Sequence, residues 1–217
     1  MIQAVLFDLD GVLVDTDALH FQAWKELADR LNIPFTQEQG NRCRGISRMD
    51  SLEIVLEGAR RTYTREEKET FAREKNLRYQ EMLHSLTPEH TTPGAEDVLK
   101  GLHDRGYKLA LASGSRNASL ILERTGLGRW LDAVADGTLI TRSKPDPEVF
   151  LTAARLVGVP ASRCAAVDDA LAGIMAGRTA GMMTVGFGDA AVHQAGDYNV
   201  QSLPELLPLF PPLEVMT

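Results

Sequence analysis

The chain has 217 residues, too many for one minimal domain and suited to one domain carrying an insert or to two modest ones. Hydrophobic residues make up 44% of it, enough for a real core, and the formal net charge of -7 argues against nucleic acid or an anionic membrane surface as the main partner. Its two cysteines, Cys43 and Cys164, lie far apart and in no CxxC pattern; this speaks against a disulfide framework or a thiolate metal site, and each reads as a small buried apolar residue.

The chain opens on an apolar run, Ile2 to Leu9, short and rich in branched residues, which predicts a strand buried on both faces. The run ends in acids and has no basic leader, so it does not read as a signal peptide, and no stretch approaches a membrane span. A soluble, cytoplasmic monomer is expected. From about Thr16 to His90 no buried strand pattern occurs. Helices are predicted at Ala18–Leu31, Thr36–Arg42, Met49–Arg60 and Glu66–Leu86, the last preceded by the capping-box pattern Thr64-x-x-Glu67. Thr92-Pro93-Gly94 reads as the return linker. Further strands are predicted at Lys108–Ala112, Cys164–Val167 and Met182–Phe187. Helices at Ala95–Arg105, Asn117–Thr125, Asp146–Val157 and Leu171–Thr179 lie between or beside them, each closed by a nearby glycine. The tail from Ser202 to Thr217 reads as a short helix and an irregular end. The pattern predicts a doubly wound, parallel α/β sheet of Rossmann-like type, residues 1–15 and 92–217, with an α-helical cap inserted at 16–91.

The polar residues of interest fall at the predicted strand ends. The first strand runs into Asp8-Leu9-Asp10-Gly11, two carboxylates two residues apart at the tip of a buried strand. The second runs into Ser113-Gly114-Ser115, a hydroxyl loop before a helix and a fair phosphate cradle. Lys144 is held between Ser143 and Pro145 before another helix. A second acid pair, Asp168-Asp169, follows the strand at Cys164. Each alone has an ordinary reading: a turn, a helix cap, an exposed lysine. Together they set acid pair, hydroxyl loop, lysine and acid pair around one crevice. Mg²⁺ between the acids, with Lys144 and the loop donors, would neutralise a phosphoryl group and let Asp8 attack phosphorus, with Asp10 moving the proton.

These segments, Asp8-Leu9-Asp10-Gly11-Val12, Ser113, Lys144-Pro145 and Asp168-Asp169, resemble the signature motifs of the haloacid dehalogenase superfamily, over essentially the whole chain. Asp8–Trp24, Arg44–Leu52, Arg73–Asn76 and Ala112–Asn117 are similar to its β-phosphoglucomutase-like branch. The resemblance implies that Asp8 is the nucleophile and Asp10 the general acid and base. It places Mg²⁺ among Asp8, the Asp10 carbonyl, Asp168 and Asp169. It gives the transferring phosphate to Ser113 and Lys144, and the distal phosphate to Arg48 helped by Ser115 and Asn117, with Arg116 also among the phosphate-binding residues. Gly45, Ser51, His20, Trp24 and Lys75 complete the substrate-facing set, with His20 and Lys75 coupling cap position to Asp10. The implied reaction interconverts β-glucose 1-phosphate and glucose 6-phosphate through the 1,6-bisphosphate. A phosphatase acting on a small sugar or polyol phosphate is the alternative, and a non-catalytic phosphate-binding module a remote one. Dehalogenation and phosphonate cleavage fit less well. Asp168 departs from the usual Glu of this branch, Ala170 from a frequent Ser, and Arg116 from a frequent Lys.

Overall fold

Ala-Val-Leu-Phe forms β1 (Ala4–Phe7), and all four side chains are fully buried. The computed structural model describes residues 1–213 and places β1 in the middle of a sheet. Its neighbours are β2 (Lys108–Ala112), β3 (Ala133–Ala135), β4 (Cys164–Asp168), β5 (Met183–Gly186) and β6 (Tyr198–Asn199). The order is β3-β2-β1-β4-β5-β6, every pairing parallel. Parallel strands need crossovers, which bury both faces of the sheet, and this explains the unbroken apolar runs. Val5 and Phe7 pack on one face with Leu109, Leu111 and Val167. Ala4 and Leu6 pack on the other with Ala110, Ala112 and Ala166. The first face is covered by α5 (Ala95–Asp104), α6 (Ala118–Thr125) and the tail residues Leu203, Leu206 and Phe210. The second is covered by α7 (Glu148–Leu156) and α8 (Leu171–Thr179).

The segment after β1 is helical: α1 (Asp17–Arg30), α2 (Gln37–Arg42), α3 (Arg48–Leu56) and α4 (Arg65–Leu83). These helices share a cluster of their own, with Trp24, Leu27, Ile33, Phe35, Leu52 and Val55. Tyr79, Met82 and Leu83 at the end of α4 instead join the main core. The two connections run side by side: Val14 bridges Thr91 antiparallel, and Thr92 N donates to Leu13 O at 3.0 Å.

Several expectations are corrected. The first strand stops at Phe7, because Leu9 O accepts the N–H groups of Val12, Leu13 and Val14 in a tight turn. α3 ends at Leu56 and α4 at Leu83, where 3₁₀-type turns such as Leu86 N to Leu83 O tighten the chain. β3, β6 and the short α9 (Gly188–Val192) carry no predicted counterpart. The tail forms α10 (Leu206–Leu209), and its last four positions, 214–217, lie outside the described residues. Cys164 is buried as expected, but Cys43 is only half-buried, at the end of α2 where a cavity opens. No helix among the described residues is long and apolar enough to cross a membrane.

Candidate active site

The register fixes the floor of the site. Phe7 pairs with both Leu111 and Val167, so the carboxyl ends of β1, β2 and β4 lie level. Asp8 follows Phe7 directly, its N–H donating to Val167 O at 2.9 Å, and Asp168 ends β4 beside it. This is the point where strand order reverses, the usual crevice of an open parallel sheet. Lys144, on the loop after β3, reaches in and pairs with Asp8 and, at 2.7 Å, with Asp168. Its ammonium also lies 5.0 Å from the centre of the Phe150 ring. The Lys144–Pro145 peptide is cis. Burial alone would lower the Lys144 pKa; the charges of Asp168 and Asp8 outweigh it and raise it.

One ammonium faces three carboxylates. Asp8, Asp168 and Asp169 each offer an oxygen, all within 4.8 Å of one another. Burial, then the charges of Asp168 and Asp8, push Asp169 up to about 9. Burial raises Asp8 to about 7, with Lys144 opposing and Asp168 and Asp10 adding to the shift. Such crowding disfavours ionisation unless a cation shares the site, and hard oxygen donors suit a hard divalent ion. The donor set therefore fits a metal. Two glycines shape it. Gly11 has φ +85°, and a Cβ there would strike the Asp169 carboxylate; a Cβ on Gly173 would strike that of Asp168. Asp168 is not the N-cap of α8; its Oδ1 accepts from Ala170 N at 3.0 Å.

Asp10 stands at the other edge of the floor. Burial would raise its pKa, but hydrogen bonding and charge from His20, then Thr16 and Lys75, hold it below the usual range. Thr16 Oγ1 donates to Asp10 Oδ1, and His20 Nε2 lies 3.7 Å from the same oxygen. Lys75 Nζ is 3.0 Å from His20 Nδ1 and 4.6 Å from the centres of the Trp24 and Tyr79 rings. A lysine that donates to Nδ1 leaves the imidazole proton on Nε2, facing Asp10. Burial, then the charge of Arg48, lowers Lys75 to about 7.

A cavity of about 560 Å³ lies above this floor. Of the residues expected at the site, all but Asp168 line it, including Gly45, Ser51, Arg48, Ser115 and Arg116; Asp168 sits behind Lys144 and is 1% exposed. In the second loop Ser113 Oγ accepts from Ser115 N at 3.1 Å, and Ser115 Oγ from Asn117 N at 3.2 Å. Arg48 comes from α3 and Arg116 from the loop before α6. Burial, then the charge of Arg116, lowers the Arg48 pKa, so the two guanidinium groups that line the cavity repel each other. Asn117 accepts from Gln80 Nε2 at 2.8 Å and donates to Asn76 Oδ1 at 3.0 Å, tying α4 to the start of α6. Thr16, Tyr79 and Gln80 join the site without having been expected there. Tyr79 and Gln80 stand four residues after Lys75 and Asn76, so helical spacing on α4 was a usable signal; nothing in the spacing points to Thr16.

A family profile described as haloacid dehalogenase-like hydrolase matches residues 2–181. The chain belongs to this haloacid dehalogenase-like family. Within the family it is 43% identical over 213 residues to a β-phosphoglucomutase of Bacillus subtilis, 94% of each chain being covered. It is 29% identical to a phosphorylated carbohydrates phosphatase of Thermotoga maritima, over 83% of this chain and 82% of that one. The crystal structure of a β-phosphoglucomutase from Clostridium difficile superposes with a TM-score of 0.89 at 36% identity, covering 95% of this chain and 93% of that chain. The haloacid dehalogenase-like fold thus accounts for the parallel sheet and for the strand-end placement of Asp8 and Asp168.

Proposed function

We propose that this protein is a β-phosphoglucomutase that interconverts β-D-glucose 1-phosphate and glucose 6-phosphate through β-glucose 1,6-bisphosphate. One observation carries the reading: the cavity that holds Asp8 and Asp10 at its floor is also lined by Arg48 from α3 and Arg116 from the loop before α6. A bisphosphate has two anionic ends, and a guanidinium pair fits the end remote from the chemistry. Residues 16–91 act as a cap over a core of residues 1–15 and 92–217.

In the first half-reaction a carboxylate oxygen of phosphorylated Asp8 gives up its phosphoryl group to the sugar hydroxyl. The new P–O bond forms as the acyl phosphate P–O bond breaks, and Asp10 takes the hydroxyl proton. The bisphosphate turns round. Asp8 then attacks the other phosphate, and Asp10 returns the proton to the departing oxygen. Ser113 and Lys144 hold the transferring group, with Arg48, Arg116, Ser115 and Asn117 on the distal one. Gly45, Ser51, Trp24 and His20 bound the sugar space, and Lys75 fixes the His20 tautomer. Asp8, Asp168, Asp169 and the Asp10 carbonyl would hold Mg²⁺, whose charge offsets that of the phosphoryl oxygens.

The test supplies Mg²⁺, β-glucose 1-phosphate and a trace of glucose 1,6-bisphosphate, and follows glucose 6-phosphate and free phosphate together. Glucose 6-phosphate should form much faster than phosphate, and Asp8→Asn should abolish both. Similarity to the Thermotoga phosphatase supports one second reading, sugar-phosphate hydrolysis, which dominant phosphate release would establish.

A further inference from the structure

A second cavity, of about 590 Å³, opens beside the site between the loop after β5 and the two connections, which would serve as the hinges of the helical segment; this is its hinge side. It shares Asp15, Asp17, Arg44 and Asp169 with the substrate cavity. The Arg44–Asp17 ion pair, 2.8 Å long, therefore stands between the two spaces. Asp169 reaches both. It is 8% exposed, and no hydrogen bond or ion pair from the described residues touches its carboxylate, while Asp8 and Asp168 both have Lys144.

The charge of the two spaces differs. The substrate cavity sets five lysine and arginine side chains, Arg48 and Arg116 among them, against five carboxylates. The hinge-side cavity sets Arg44 alone against Asp15, Asp17, Glu89, Asp169 and Asp189, with His90 the only other ionisable group. A cleft lined by one sign of charge, with low-dielectric walls, concentrates counter-ions and raises their association rate. The first space suits a sugar phosphate; the second suits its opposite.

We infer that the hinge-side cavity is the route by which a divalent cation reaches Asp169, separate from the mouth that admits the sugar phosphate. The inference rests on the reading of Asp8, Asp168 and Asp169 as the metal site. Asp169, buried and unpaired at the inner end, is the first ligand the cation meets. Glu89 and Asp189 are exposed at the outer part and hold nothing in the substrate cavity, so they steer without taking part in the chemistry. Separate routes let the metal exchange while the sugar phosphate occupies the cavity between cap and core.

The test measures Mn²⁺ association by stopped-flow quenching of tryptophan fluorescence, and Mn²⁺ affinity by electron paramagnetic resonance, at low and high ionic strength. The variant is Glu89→Lys with Asp189→Lys. The control is Glu66→Lys with Glu123→Lys, which changes net charge equally at exposed sites lining neither cavity. At low salt the variant should bind Mn²⁺ about three- to tenfold more slowly than the unmodified protein and the control, with an unchanged dissociation rate. The difference should collapse near 1 M salt, where the screening length is about 3 Å. Equal association rates in variant and control would overturn the route. Failure of the unmodified protein to bind Mn²⁺ would instead remove the metal site on which the route depends.

Discussion

Lys75 carries a conflict between stability and chemistry. It is 4% exposed, packed against Trp24 and Tyr79, and lowered to about 7 by burial and by Arg48. Below that pH both the folded and unfolded chains hold the proton, and the full cost of a buried ammonium is present. As pH rises from about 7 toward the ordinary lysine value of 10.5, the folded protein has lost the proton while the unfolded chain keeps it, so folding gains stability. A methionine fills similar space without the charge. Lys75→Met should therefore raise stability by about 1 to 3 kcal/mol at pH 6, with the gain shrinking by pH 9, as followed by urea unfolding. The same substitution should cut turnover, since His20 loses the donor that orients its ring toward Asp10. A lower stability of the variant at pH 6 would show that the contacts of the ammonium outweigh its desolvation.

α4 shows what local sequence can and cannot reveal. Its start was legible because Thr64 and Glu67 form a reciprocal cap: Thr64 Oγ1 accepts from Glu67 N at 3.2 Å and Thr64 N donates to Glu67 at 2.8 Å. Thr64→Ala should cost about 1 kcal/mol in denaturant unfolding and leave turnover at saturating substrate unchanged, because the cap lies far along the helix from Lys75. A loss above about 2 kcal/mol would mean that Thr64 does more than close a helix. The strand-end acids were legible for the same local reason: a carboxylate directly after a run of buried branched residues must meet a cation or a donor where the strand ends. β3 and β6 were not. Three residues, Ala133–Ala135, and two, Tyr198–Asn199, are too short to show a period, and their pairing with β2 and β5 is a property of the sheet. β3 still matters to the site, since Ala135 O accepts from Ser113 N at 3.0 Å and the following loop delivers Lys144.

At the scale of the whole molecule, the helical segment proposed as a cap meets the rest of the chain at the two linkers and again across the cavity. The linkers are tied by backbone bonds between Leu13–Asp15 and His90–Thr92, which any sequence can make and no motif announces. Across the cavity, a Cβ on Gly45 would crowd Ala170, and Asn76 and Gln80 grip the side-chain amide of Asn117. That grip joins residues 37 and 41 positions apart, beyond any local pattern. A mutase must keep water from phosphorylated Asp8 while the bisphosphate turns, so a cap that sits loosely should leak phosphate. Each neutral hydrogen bond contributes about 1 kcal/mol, and Asn76→Ala with Gln80→Ala removes two. The seated cap should lose about 2 kcal/mol, and free phosphate should rise up to about thirtyfold relative to glucose 6-phosphate. Phosphate and glucose 6-phosphate would be counted in the same reaction, so a general loss of activity cancels from the ratio. An unchanged ratio, with binding of β-glucose 1-phosphate also unchanged, would place the seal elsewhere, at the Gly45–Ala170 contact or the linkers themselves.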